Sequence, residues 1–306
     1  MTGYLRRSHA VVSAGLLCVV VLAFMMLRRC EPPVLPPELL RIEKVATRQY
    51  LDVPQLRYVN RSGVSSSIIV DFVGAVHLGE RSYYESLNQA FKKYDVVLFE
   101  LVSDGTAVPT KGGSQNDSLL GTMQRAVANL LGLAFQLDEI DYRASNFVHA
   151  DLSPQQLSAA MAARGESLPQ LLMKLLRVSN DPALERSLKE HGLDEASLEG
   201  INPLLIVLRG PTERERLILR RFMAQGLIAS DEVLKILEGE KGFSLITDRN
   251  KVIVDTLEKE VTLGKKKIAI FYGVGHLPDL HRRLTNEHGY SLAEVSWNRA
   301  WNLSGE

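Results

Sequence analysis

The chain has 306 residues, 45% of them hydrophobic, with 36 basic and 36 acidic side chains and a formal net charge of zero. That is enough apolar material for one large domain or two, and the missing positive excess gives no ground for nucleic acid as a partner. Both cysteines, Cys18 and Cys30, fall within the first thirty residues. The remainder therefore has no disulfide framework, no cysteine nucleophile and no thiolate metal site.

Ala10 to Leu27 is an 18-residue run without a charge, bracketed by Arg6–Arg7 and Arg28–Arg29. A spanning helix needs roughly 17–25 apolar residues, so the run is long enough to cross a bilayer. Its end, "MMLRRC", has no small-x-small cleavage pattern, and arginines before Cys30 exclude a lipoprotein site. Residues 1–30 are expected to be a retained single-pass anchor. The N-terminal amine tips the otherwise balanced charges toward a cytoplasmic N-terminus, placing the rest outside the cytoplasm. Residues 31–54, opening on the proline-rich "EPPVLPP", are expected to be a juxtamembrane spacer, and residues 55–300 the folded domain.

"QLRYVN" and "SIIVDFV" frame a short polar turn and predict a hairpin. Tyr83, Leu87, Ala90, Phe91 and Tyr94 recur at helical spacing. "DVVLFELV" (Asp95–Val102) is the next strand, completing a βαβ unit. Gly105–Asp117 is polar and glycine-bearing, the composition of a mobile lid. Residues 118–239 are expected to be a helical insertion. Within it "DEIDYRASNFVHADLSP" gathers Asp138, Asp141, Tyr142, His149 and Asp151, assigned mostly to loop and helix-cap chemistry with Ser153 as cap. The rest predicts a helix at Thr247–Val261, a strand at Lys266–Gly273, a helix at Pro278–Glu287 and a last strand at Tyr290–Trp297. The expected fold class is α/β (α+β): a mixed, largely parallel core sheet with βαβ units at both ends of the chain and helices inserted between.

One phrase occurs twice. "FVGAVHLGE" and "FYGVGHLPD" each run from an apolar strand through glycine to histidine, at His77 and His276. Open α/β sheets carry their sites at the C-terminal ends of the strands. With parallel strands, His77, Glu100 and His276 share one such edge, and Glu100 inside "VVLFELV" is costly to bury unless paired. Two imidazoles and a carboxylate are a ligand set for a first-row divalent metal, Zn²⁺ among them. Gly74, Gly273 and Gly275 would let the backbone turn tightly and let a ligand approach it. Arg249 shares a helical face with Ile253 and Leu257 and is expected in a first turn, where the dipole disfavours a cation, so it calls for an anionic partner. Glu100 or a substrate carboxylate would serve. His191, His281 and His288 lie among polar residues and are expected to be solvated. No GxSxG elbow, P-loop or dinucleotide fingerprint is present.

In "GAVH" (Gly74–His77), "FELV" with Glu100, "DRNKVIVDTL" with Arg249 and Asn250, and "GVGH" (Gly273–His276), the sequence resembles the TraB/PrgY/GumN family, whose animal relatives are the Tiki proteases. The resemblance covers about residues 55–300, loosely in the helical middle. It implies a membrane-associated metallopeptidase-like fold of the erythromycin esterase and ChaN group. The active-site residues would be His77, Glu100 and His276, the metal Mn²⁺ or Co²⁺, and the substrate a peptide or protein. A non-catalytic tethered peptide binder and a metallo-hydrolase of an ester are the alternatives.

Overall fold

The computed structural model describes residues 39–60, 67–105, 119–167, 198–238 and 244–305, with isolated positions between them. The anchor run 10–27, the proline-rich stretch 31–37, most of the 105–117 loop and His191 lie outside the described residues. Among the described residues no helix is long and apolar enough to cross a membrane.

The first element is β1 (Arg41–Val45), followed by β2 (Arg48–Asn60). The folded unit thus starts by Leu39 and Leu40, both buried, and the expected spacer over residues 31–54 is corrected. Pro54 lies within β2 although proline donates no ladder hydrogen bond. The structure accommodates it at a seam. One edge of β2 pairs with β1 as far as Asp52 and with β3 (Ile69–Ala75) from Gln55 onward, so Val53 and Pro54 meet no partner strand there.

After β3 come β4 (Leu78–Gly79), α1 (Arg81–Phe91) and β5 (Val96–Phe99). The inserted segment holds α2 (Leu119–Leu131), β6 (Ala134–Phe135), α3 (Gln136–Glu139), β7 (Phe147–His149), α4 (Pro154–Ala163), α5 (Pro203–Arg209) and α6 (Glu213–Glu238). The chain closes with α7 (Ser244–Thr262), β8 (Lys267–Gly273), α8 (Leu277–Arg282) and β9 (Tyr290–Asn302). The last strand is longer than expected and covers the other edge of β2, antiparallel, with two bulges.

The α/β class is as expected, and β8 is parallel to both its neighbours. The strand order differs from the simple βαβ reading. β8 lies between β3 and β5, with Ile270 opposite Phe72 on one side and Leu98 on the other, so α1 crosses over an intervening strand. β7 extends the parallel set beyond β5, so the insertion is not purely helical.

The physical reason for the central place of β8 is its apolarity on both faces. Ile268, Ile270 and Tyr272 join one core with Phe72, Leu98 and the α7 residues Ile253, Val254 and Leu257. Ala269 and Phe271 point the other way, into a core with Val73, Val97 and the α1 residues Tyr83, Tyr84, Leu87 and Phe91. The one carboxylate buried on β3, Asp71, is held by Arg57 at 2.9 and 3.0 Å and by the Tyr94 hydroxyl at 2.7 Å. Four parallel strands thus present their C-terminal ends on one edge, carrying "GAVH", Glu100, "HAD" and "GVGH".

Candidate functional site

Glu100 follows β5 directly. Its Oε2 accepts the Gly273 backbone N–H at 2.7 Å, and its Oε1 accepts from Arg249 Nη2 at 2.7 Å. Arg249 also reaches Asp151, two residues past β7, with Nε to Oδ1 at 2.8 Å and Nη2 to Oδ2 at 2.6 Å. One guanidinium therefore bridges two carboxylates drawn from separate strands. Arg249 is in the second turn of α7 rather than the first, so the dipole argument falls away; the anionic partners remain. Glu100 was foreseen as one of them, and Asp151 is the other.

His276 ends the single turn Val274–His276 after β8 and is buried. Its Nε2 lies 3.7 Å from Glu100 Oε1 and 3.4 Å from Arg249 Nη1. Its Nδ1 is 2.7 Å from Asn250 Oδ1. The amide nitrogen of Asn250 donates to the His276 carbonyl at 3.1 Å and to Asp279 Oδ2 at 3.0 Å, which leaves Oδ1 as the acceptor. His276 accordingly carries its proton on Nδ1, and its unprotonated Nε2 accepts from Arg249 Nη1 with Glu100 Oε1 close beside it. The Tyr272 ring meets the imidazole edge-on at 5.1 Å.

Burial lowers the His276 pKa to about 4, with Arg249 pushing the same way and Glu100 opposing. Burial disfavours the Glu100 anion, but His276, Arg249, the Gly273 N–H and His77 together outweigh it and hold the carboxyl at about 2. Because His276 is neutral at neutral pH, the guanidinium and the amide are what stabilise the Glu100 anion there. The opposite balance raises the Arg249 pKa: burial opposes its charge, and Asp151 and Glu100 overcome that.

His77 stands apart. It is exposed, its carbonyl accepts from the Gln136 N–H, and its side chain lines a neighbouring pocket. The "GAVH" turn before it is clamped by the Tyr83 hydroxyl on the Gly74 carbonyl and the Tyr84 hydroxyl on the Val76 carbonyl, at 3.0 and 2.9 Å. Gly74 has a packing reason, not a ligand: a Cβ there would lie 2.8 Å from the Pro54 carbonyl and 2.9 Å from both Val53 and Val274. Gly273 and Gly275 do line the pocket. A Cβ at Gly273 would come within 3.2 Å of Glu100 Oε2.

Among the described residues, no group of three His, Cys, Asp or Glu is gathered to hold a metal. Two of the three expected donors nevertheless suit one. Glu100 and the unprotonated Nε2 of His276 lie side by side, both bound by Arg249, and two carboxylates sharing one guanidinium leave a net negative charge beside them. An amide orienting the distal nitrogen is the usual support for a histidine ligand.

The pocket beside this edge has a volume of about 400 Å³ and is bordered by Val76, Val127, Leu227 and Trp301 among others. His281, expected to be solvated, is half-buried, with Nδ1 3.0 Å from the Tyr58 hydroxyl, and burial lowers its pKa. His288 contacts Glu258. The sequence reading named Asp151 but assigned its cluster mostly to loop and helix-cap chemistry, with lining the site as the lesser alternative; its signal is the same as that of Glu100, a carboxylate just past a short apolar strand.

No protein-family model, curated protein or solved structure matches this chain. The family reading therefore rests on the four motifs alone.

Proposed function

We propose that the protein is a membrane-anchored, metal-dependent hydrolase of peptides, acting where Glu100, Arg249 and His276 meet. The single observation that carries this is the unprotonated Nε2 of His276 lying 3.7 Å from Glu100 Oε1, beside an apolar pocket at the C-terminal ends of parallel strands. Residues 10–27 would tether the domain on the extracytoplasmic side.

The residues that would hold a divalent metal are His276, Glu100 and His77, with Mn²⁺ or Co²⁺ favoured by the resemblance and Zn²⁺ compatible with the donors. When bound, such an ion polarises a scissile carbonyl and lowers the pKa of water. The chain's own groups have distinct tasks. Glu100, ionised at any pH above about 2, is too weak a base to take a proton at neutral pH. Its role is to hold charge. Asn250 fixes the imidazole of His276, and Arg249, whose Nη1 donates to the Leu245 carbonyl and to His276 Nε2, holds the charged groups of the site in place; meeting an oxyanion or substrate carboxylate would require it to exchange one of these partners.

The second reading, a tethered peptide binder without turnover, draws on a specific observation: the guanidinium already engages both carboxylates. Turnover of a peptide library by the full chain, with and without Mn²⁺, Co²⁺ or Zn²⁺, separates the two. The hydrolase reading expects metal-stimulated cleavage, with bound metal reduced in His276→Ala and Glu100→Gln. Binding without cleavage at any metal concentration, and unchanged metal content in both variants, would overturn it. Product identity distinguishes a peptide from an ester substrate. Intact mass of the membrane-extracted protein checks the anchor; a mature N-terminus near residue 30 would exclude its retention.

A further inference from the structure

Building on the hydrolase reading, we infer that the pocket beside Gly273 seats a substrate side chain adjoining the scissile bond, and that this side chain is large, apolar and uncharged. A pocket of about 400 Å³ is within the range that holds small organic groups, about 300–1,000 Å³. Two helices build one side of it: α2 presents Met123 and Val127 one turn apart, and α6 presents Met223 and Leu227 likewise. Trp301 spends its indole N–H on the Leu78 carbonyl, at 2.6 Å, and so offers the cavity only carbon.

Among the described residues no Asp, Glu, Lys or Arg borders the cavity, and His77 is the one titratable side chain that does. A charged side chain entering it would lose hydration and gain no partner. Met123 and Met223 are 59% and 36% exposed. Flexible thioethers at a rim adapt to differing shapes, so Leu, Met and Phe should all be accepted.

The connection to the chemistry runs through Gly273. Its N–H is bound to Glu100, and a side chain on it would sit 3.2 Å from Glu100 Oε2 and 3.9 Å from His276 Cδ2. Gly273 thus borders the pocket and binds the carboxylate at once. A side chain lodged in the cavity therefore leaves its own peptide group at the site.

The test uses the full chain in detergent and a peptide set differing at one position: Phe, Leu, Met, Ala, Glu or Lys. Cleavage is read by mass spectrometry and binding by fluorescence anisotropy of the same labelled peptides. Phe, Leu or Met should exceed Glu and Lys by at least about 10–200-fold, the span that a single methylene contributes to discrimination in an apolar pocket. Met223→Arg should erase that preference and raise Glu relative to Leu, and Gln124→Arg on the facing helix provides an independent charge at the same cavity. Cleavage or binding indifferent to the varied position, or best with a charged residue, overturns the inference. Apolar-selective binding without cleavage upholds the pocket and overturns the hydrolase reading. Neither binding nor cleavage of any peptide overturns both.

Discussion

Arg249 and Asp151, 98 positions apart, form a two-pronged ion pair with contacts of 2.8 and 2.6 Å, and the Asp151 side chain has no exposed surface. A carboxylate so placed depends on its guanidinium. Arg249→Met would strand both Asp151 and Glu100, and breaking a buried pair from one side costs about 3–5 kcal/mol. The expected outcome is a matching fall in urea stability. Arg249→Lys should recover only part of it, because an ammonium cannot span two carboxylates in a fixed fork. Equal stability of Arg249→Met and the parent would show that the pair is dispensable.

The pH dependence follows from two depressed pKa values. His276 falls from 6.5 to about 4, so the unfolded chain binds its proton first as the pH drops below 6.5. Glu100 falls from 4.5 to about 2, with the same sign: its contribution is full above 4.5 and lost toward 2. Stability should therefore decline continuously from pH 6.5 downward. In His276→Asn the upper part of that decline, between pH 6.5 and 4, should flatten. Urea midpoints measured across this range for both proteins check it.

Gly74→Ala places a methyl 2.8 Å from a backbone oxygen and 2.9 Å from two valines on different elements. The backbone oxygen cannot step aside as a side chain can. Overpacking of this kind costs about 1–3 kcal/mol. Thermal unfolding should register it without any change in metal content, since Gly74 does not border the pocket.

Ser153 caps α4 by a reciprocal arrangement, accepting from the Gln156 N–H at 3.1 Å while Gln156 Oε1 accepts from the Ser153 N–H at 2.8 Å. Ser153→Ala should cost about 1 kcal/mol. Because the cap follows Asp151 by two residues, the variant should also speed hydrogen exchange at Leu152, whose N–H binds Asp151 Oδ1. Unaltered exchange there would show that the cap and the ion pair are independent.

The sequence made β8 legible through its unbroken apolar run between two helices, and Glu100 through the cost of a carboxylate at the end of such a run. Arg249 was visible for a related reason: it interrupts an apolar helical stripe. The order of strands was not visible. Nothing local in "KIAIFYG" states that it pairs with β3 as well as β5, because that choice is made by long-range packing on both faces. β7 has three residues, too few for a period to be read, and it hides among helices; with it went the role of Asp151. The start of β2 was not visible either, and only the seam between β1 and β3 shows how a long strand tolerates Pro54.

The central position of β8 also sets a timetable. During synthesis β3 and β5 emerge long before residues 267–273, and each leaves the ribosome with the edge meant for β8 unpaired. Parallel pairing across so many residues is slow, and open strand edges are where nascent chains associate wrongly. A chain ending before Lys267 keeps both edges open and lacks the amide that holds Glu100. Truncated products therefore have no half-built site to display, and the same strand that completes the sheet also fixes the carboxylate at its edge.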